Sequence, residues 1–126
     1  MDGEPQVWRE LDAPRAPTDA ERRVLGVLAA AVGDPALHEQ VASVVVDAVC
    51  RRGCSSVRLH TDSPARDGGH LAVEADGSAP GHELVQVVLH VIGGRVHELE
   101  VFDQLAGEGV PVALGELTGP GAPRVR

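Results

Sequence analysis

Lysine is absent from this chain of 126 residues, and all 11 of its basic side chains are arginines. A Walker-type phosphate loop needs a lysine to reach the phosphates, and a Schiff-base enzyme needs one as nucleophile, so both chemistries are excluded. Cations are scarce overall: 19 acidic residues bring the formal net charge to −8 and the pI to about 5.1. A protein that tracks a nucleic-acid backbone relies on clustered cations to release phosphate counterions, which argues against nucleic acid as a partner. Aromatic residues are limited to Trp8 and Phe102, too few to form a platform for stacked bases. Two cysteines, Cys50 and Cys54, cannot make a disulfide framework. No apolar run approaches the ~18 residues of a membrane span. The opening MDGEPQVWRE also lacks the basic-then-apolar order of a secretory signal. A cytoplasmic protein with no membrane partner is therefore expected. Arginine without lysine, beside abundant Ala, Gly and Val, is the residue usage expected of a GC-rich bacterial genome.

What remains is a hydrophobic fraction of 43% and a charged fraction of 24%, the balance of a globular chain. Its length suits one domain. Residues 1–17 mix prolines with charges and read as an irregular arm that Trp8 and Leu11 could dock. Thr18 followed by Glu21 is a capping box, and Val24, Leu25, Leu28, Ala31 and Val32 then recur at helical spacing. Gly33 ends that helix. Asp34-Pro35 starts a shorter one with Leu37 and Val41 inward.

From Ser43 the period changes to two. Val44 to Val49 and Ser56 to His60 read as strands around a turn in which Gly53 supplies a left-handed residue. If Cys50 and Cys54 close the loop, Val45 faces Leu59 and Asp47 faces Val57. Val45, Val49, Val57 and Leu59 then form the core face, and Val44, Val46, Arg58 and His60 the wetter one. His70 to Ala75 makes a further strand, with turn-rich links before it (62–69) and after it (76–81). Gly93-Gly94 joins two apolar runs, 84–92 and 95–102, as a two-residue hairpin turn. Strict pairing there sets Leu89 against Glu98. One extra residue at His97-Glu98 repairs this, bringing Leu89 to Leu99 and Val87 to Val101, so a β-bulge is expected. Val110 to Leu114 can add a short edge segment, and residues 115–126 read as a disordered tail.

The fold expected is α+β, with two N-terminal helices packed on one face of a four- to five-stranded antiparallel meander sheet and a single domain over residues 18–114. Thr18 to Leu25, His38-Glu39-Gln40, the hairpin from Cys50 to Val57 and the run Val88 to Phe102 occur in an order that resembles a widespread family. Its members are small uncharacterised bacterial proteins of actinobacterial type with a Cys-containing hairpin and an LHVxxGxhxxLEh hairpin (h being apolar). The resemblance spans about Thr18 to Leu114. It implies an α+β fold and brings no activity. The family's first hairpin often has a third cysteine between the outer two, where this chain has Arg52.

Candidate sites follow from the pattern. Cys50 and Cys54 are either reduced thiols beside a turn, a cross-hairpin disulfide, or half of a zinc site that needs two more donors, His60 and His70 being the nearest imidazoles. His90, His97 and Glu98, with Glu100 nearby, put imidazole beside carboxylate, a combination that binds metal or moves protons near neutral pH. The plainer reading of that face is a solvated sheet surface. Ser55 and Ser56 are not in a nucleophile elbow, and Asp62 and Asp67 are too sparse for calcium. No catalytic residue and no cofactor is therefore expected. The leading expectation is a non-enzymatic domain that binds a protein partner or another copy of itself. Its partner surface would comprise Val44, Val46, His60, Val88, His90, Glu100 and Phe102. A toxin-neutralising, immunity-like role against a basic nuclease is one form of it. The alternative is a metal-dependent or acid–base enzyme using His90, His97 and Glu98.

Overall fold

Thr18 opens the first helix in the computed structural model, which describes residues 8–107 and 109–126. Its hydroxyl accepts from the Glu21 amide at 3.1 Å, and the Glu21 carboxylate accepts from the Thr18 amide at 2.8 Å. These bonds satisfy backbone donors that a helix start leaves orphaned. Helix α1 (Asp19–Val32) buries Val24, Leu25 and Leu28 completely and ends at Gly33, where φ is 73°. Asp34 caps α2 (Pro35–Ser43), with Pro35 in the first turn and Leu37, Gln40 and Val41 buried.

Among the described residues all strands pair antiparallel in one sheet of seven, more than the four to five expected. They are β1 (Trp8–Arg15), β2 (Val45–Cys50), β3 (Val57–His60), β4 (His70–Ala79), β5 (His82–Ile92), β6 (Arg95–Asp103) and β7 (Arg124–Val125), in the order β1-β2-β3-β6-β5-β4-β7. Both helices lie on one face. There α1 crosses β4 and β5 and α2 rests on β6, over a core that includes Leu28, Leu37, Val46, Leu59, Val73, Leu89, Leu99 and Val101. The α+β class and the helix placement are as the sequence led us to expect.

The β5–β6 hairpin has the expected register. Gly93 and Gly94 take φ of 59° and 76°, the two positive values a tight hairpin turn needs. Leu89 pairs Leu99 and Val87 pairs Val101. The register shifts between His90↔Glu98 and Val91↔Val96, which makes His97 the extra residue of a bulge.

Several expectations are corrected. The described part of the arm, residues 8–15, is not irregular: it is an edge strand, Trp8 pairing Cys50 and Arg9 pairing Val49, with Leu11 packed on the core. Residues 1–7 lie outside the described residues. Backbone pairing to β2 holds this strand, and an edge position tolerates Pro14. The C-terminal stretch is likewise ordered. Leu117 is buried, Thr118 bridges Ser78, and β7 pairs with Val73 and Glu74 of β4. Val110 to Leu114 adds no strand. Val112 and Leu114 instead plug the core beside a 3-10 turn at Leu114–Glu116.

The sheet is not a simple meander. Strand β3 neighbours β6, not β4, so two three-stranded meanders meet there. The polar loop 61–69 makes this possible. It must span three inter-strand steps, about 14 Å, and nine residues reach about 30 Å. It crosses the end of the β5–β6 turn, where the Arg66 amide donates to the Gly93 carbonyl at 2.6 Å and Arg66 pairs with Asp34 at 2.8 Å. Strand β4 also runs on through residues 76–79, placed above in a link, and turns only at Pro80-Gly81.

The β2–β3 register also differs. The Cys50 amide donates to the Ser56 carbonyl, so the hairpin closes at Ser56, not Cys54. A bulge at Asp47 then brings Val46 opposite Leu59 and Val49 opposite Val57. Val44 and Val46, expected on the wetter face, are 1% and 0% exposed and belong to the core. Val45, expected inward, is paired with His60 and half-buried.

Candidate functional site

The sheet face away from the helices carries the polar members of β2 to β6. On β5 and its neighbours, alternation sends Val87, Leu89 and Val91 to the core and Gln86, Val88 and His90 to this open face. Across the strands, Ala72, His90, Glu98, Arg58 and Ala48 form one row, and Glu74, Val88 and Glu100 another. Imidazole and carboxylate therefore meet because of register.

His70 Nε2 lies 2.9 Å from His90 Nδ1, and His90 Nε2 lies 2.8 Å from Glu100 Oε1. A carboxylate only accepts, so His90 Nε2–H donates to Glu100; in the neutral His90 ring Nδ1 is then the acceptor, taking its hydrogen bond from His70 Nε2–H. The chain runs His70 to His90 to Glu100, from an exposed ring to two half-buried groups. Glu98 joins them: one donor atom each from His90, Glu98 and Glu100 lie within 4.8 Å of one another.

Among the described residues no arginine pairs with Glu98. Arg58 stands directly opposite it in β3, yet Arg58 donates to Asp47 and Glu10, both at 2.8 Å. The Glu98 carboxyl is pushed above its usual value, first by burial; His90 pulls it back and Glu100 pushes it further up. On the neighbouring row Glu74 is well neutralised, accepting from Arg126 at 3.0 Å and from Gln86 at 2.6 Å. Its carboxyl is held below the usual range, chiefly by the Arg126 bond.

The remaining candidates are dispersed. His97, on the bulge, shares the open face but not the cluster. It is exposed and lines a cleft of about 420 Å³ with Arg58, His60 and Arg95, past the last β3–β6 pair at Arg58↔Glu98. His60 is exposed and faces Asp62 at 3.2 Å. Cys50 and Cys54 are not joined by a disulfide and line a recess of about 30 Å³ with Ser56, Glu100 and Phe102, room for about one water. Burial raises the Cys54 thiol, the Cys50 hydrogen bond adds to this, and hydrogen bonds to Ser56 oppose it. Of the expected surface anchors Phe102 is half-buried. Val88 is 0% exposed, a central-strand residue flanked by Glu74 and Glu100. Val44, Val46 and Val88 therefore present no surface to a partner.

Sequence reasoning missed three structural polar side chains. Ser56 Oγ accepts from the Val101 amide at 2.9 Å, and Ser55 Oγ does the same for Val112, also at 2.9 Å. Both hydroxyls stand in for strand partners at the hairpin end. Buried Gln40 bridges α2 to the β5–β6 turn, donating to the Gly94 carbonyl at 2.8 Å and accepting from the Val96 amide at 2.9 Å. His82, bonded to Asp103 at 2.7 Å, was also overlooked. Its only sequence signal is its place at a strand start. Among the described residues no helix is long and apolar enough to cross a membrane. Searches against protein-family models, curated proteins and solved structures find no match to this chain.

Proposed function

We propose that this protein is a non-enzymatic binding module whose working surface is the open face of the sheet, and that its partner is a basic protein. The observation that carries this reading is the face itself. Both helices pack on the opposite side. Glu10, Asp47, Glu74, Asp76, Glu98 and Glu100 stand against Arg58, Arg124 and Arg126 on the open side. Six inter-strand steps and strands averaging seven residues give this face about 700 Å², near the ~800 Å² that one partner buries in a standard complex. The acidic excess suits steering of a positively charged surface. A basic nuclease is one partner of that chemistry. Pairing of two copies along β1 is less favoured, because Arg9, Glu10, Asp12 and Pro14 guard that edge.

The missing lysines provide a clean test. Carbodiimide joins carboxylates to amines, and this chain offers no lysine amine of its own. Treatment of the full chain in a lysate of its source organism should join Glu10, Glu74, Glu98 or Glu100 to lysines of a basic protein. Cross-links confined to Asp19, Glu39 or Glu116 on the helical side would overturn the assignment.

A further inference from the structure

We infer that His90, Glu98 and Glu100 form a site for one divalent transition-metal ion, zinc above all. The inference stands apart from the docking reading and survives its failure.

Zinc takes imidazole nitrogen and carboxylate oxygen at about 2.0–2.2 Å, and three protein ligands with one open position are a common arrangement. In a tetrahedron of that size the ligand atoms are about 3.3 Å apart. Here His90 Nε2 and Glu100 Oε1 are already at 2.8 Å and all three donors lie within 4.8 Å, so modest side-chain rotation closes the site. Two observations distinguish it from a chance gathering of acids. Glu98 is a half-buried carboxylate that takes no side-chain hydrogen bond from the described residues, and the arginine across the ladder from it is committed to Asp47 and Glu10. A cation between Glu98 and Glu100 would remove the repulsion that this leaves. His90 is also oriented from behind. A metal-binding histidine commonly fixes its ring by a bond from its other nitrogen, and His70 occupies that place at 2.9 Å.

Proton balance is simple. The metal replaces the proton on His90 Nε2. His70 passes its Nε2 proton to His90 Nδ1 and takes up at its own Nδ1, through solvent, the one released. Both rings stay neutral, and the bond between them reverses direction. The fourth position faces solvent on the open sheet face, available to water or to a donor from a bound molecule.

The experiment is titration of the full chain with Zn²⁺ against a chromophoric chelator at pH 7.5, followed by Co²⁺ spectroscopy. We expect one ion per chain and a cobalt spectrum without thiolate charge-transfer bands. Glu98→Gln and Glu100→Gln should each weaken binding at least tenfold. Glu98→Gln removes one of two adjacent carboxylate charges, so its fold should persist, as circular dichroism will check. A Cys54→Ser variant should bind as the parent does. No stoichiometric binding at 100 µM metal overturns the inference. So does binding unchanged by Glu98→Gln, or a cobalt spectrum showing thiolate bands that Cys54→Ser abolishes.

Discussion

Gln40→Ala is the most informative perturbation of the fold, because a single amide there completes the sheet from outside it. Strand β3 pairs with β6 only at Val57↔Leu99 and Arg58↔Glu98, so the ladder between them stops next to the His97 bulge. The Val96 amide then donates to Gln40 Oε1, while Gln40 Nε2 donates to Gly94. Gln40 is 3% exposed and Val96 2%, so water does not readily replace the lost partner. The bond to Gly94 contributes about 1 kcal/mol, and losing the acceptor of the buried Val96 amide costs about 1–3 kcal/mol. The expected loss is therefore about 2–4 kcal/mol, a large share of the ~5–15 kcal/mol typical of a domain. Alanine is the better helix former, so helix propensity works against the loss and does not explain it. Urea denaturation measures the total, and native-state hydrogen exchange at the Val96 amide locates it. Gln40→Met, which keeps the volume, should lose nearly as much as alanine. Glu39→Ala, on the exposed side of the same helix, should stay within about 0.5 kcal/mol of the parent. A loss below about 1 kcal/mol with Val96 still protected would refute the bridge.

Other substitutions probe separate parts of the structure. Leu89→Ala removes a 0%-exposed side chain that packs opposite Leu99, and calorimetry or urea unfolding should show a loss of about 2–5 kcal/mol. Gly94→Ala forces a side chain onto a φ of 76° and sets its Cβ 2.7 Å from Arg66 Nε. A loss of about 1–2 kcal/mol is expected, and equal stability would show that the turn relaxes freely. Hydrogen bonds from His82, then from the amides of Ala106 and Leu105, hold the Asp103 carboxyl below its ordinary value. A lowered value means the unfolded chain binds the proton more tightly. The Asp103 contribution is thus complete above about pH 4 and disappears as the pH falls through the folded value. Asp103→Asn should flatten the acid limb of the stability–pH curve, and an unchanged limb would discount that cluster.

The helices and the β5–β6 hairpin were legible because their signals are local. Thr18 with Glu21, Asp34-Pro35 and Gly93-Gly94 each dictate backbone geometry within four residues. The bulge at His97 could be read because the alternative buries Glu98 beside Leu89, a penalty visible in the sequence alone. By contrast, β1 and β7 exist through backbone pairing to β2 and β4, and their side chains carry almost no alternation. Nothing in Arg124-Val125 announces a strand. The adjacency of β3 and β6 is likewise set by which edges remain open after each meander forms, information that no stretch of sequence holds.

The β2–β3 hairpin shows how one missed residue alters a site. A loop closed at Cys54 implies an unbroken ladder in which Asp47 faces Val57, among the core positions. The actual loop closes at Ser56, and a bulge absorbs the slip by turning Asp47 onto the open face. There it takes the Arg58 guanidinium, which Glu10 of the edge strand also holds. With Arg58 drawn to that side, Glu98 across the ladder is left facing His90 and Glu100 without an arginine. The carboxylate–imidazole cluster is thus a joint product of two bulges. One at His97 brings Glu98 opposite His90, and one at Asp47 takes away the cation that would have neutralised it. The first was readable from the cost of burying a charge. The second replaces one valine with another in the core, Val46 for Val45, and hydrophobic patterning is nearly indifferent to that exchange.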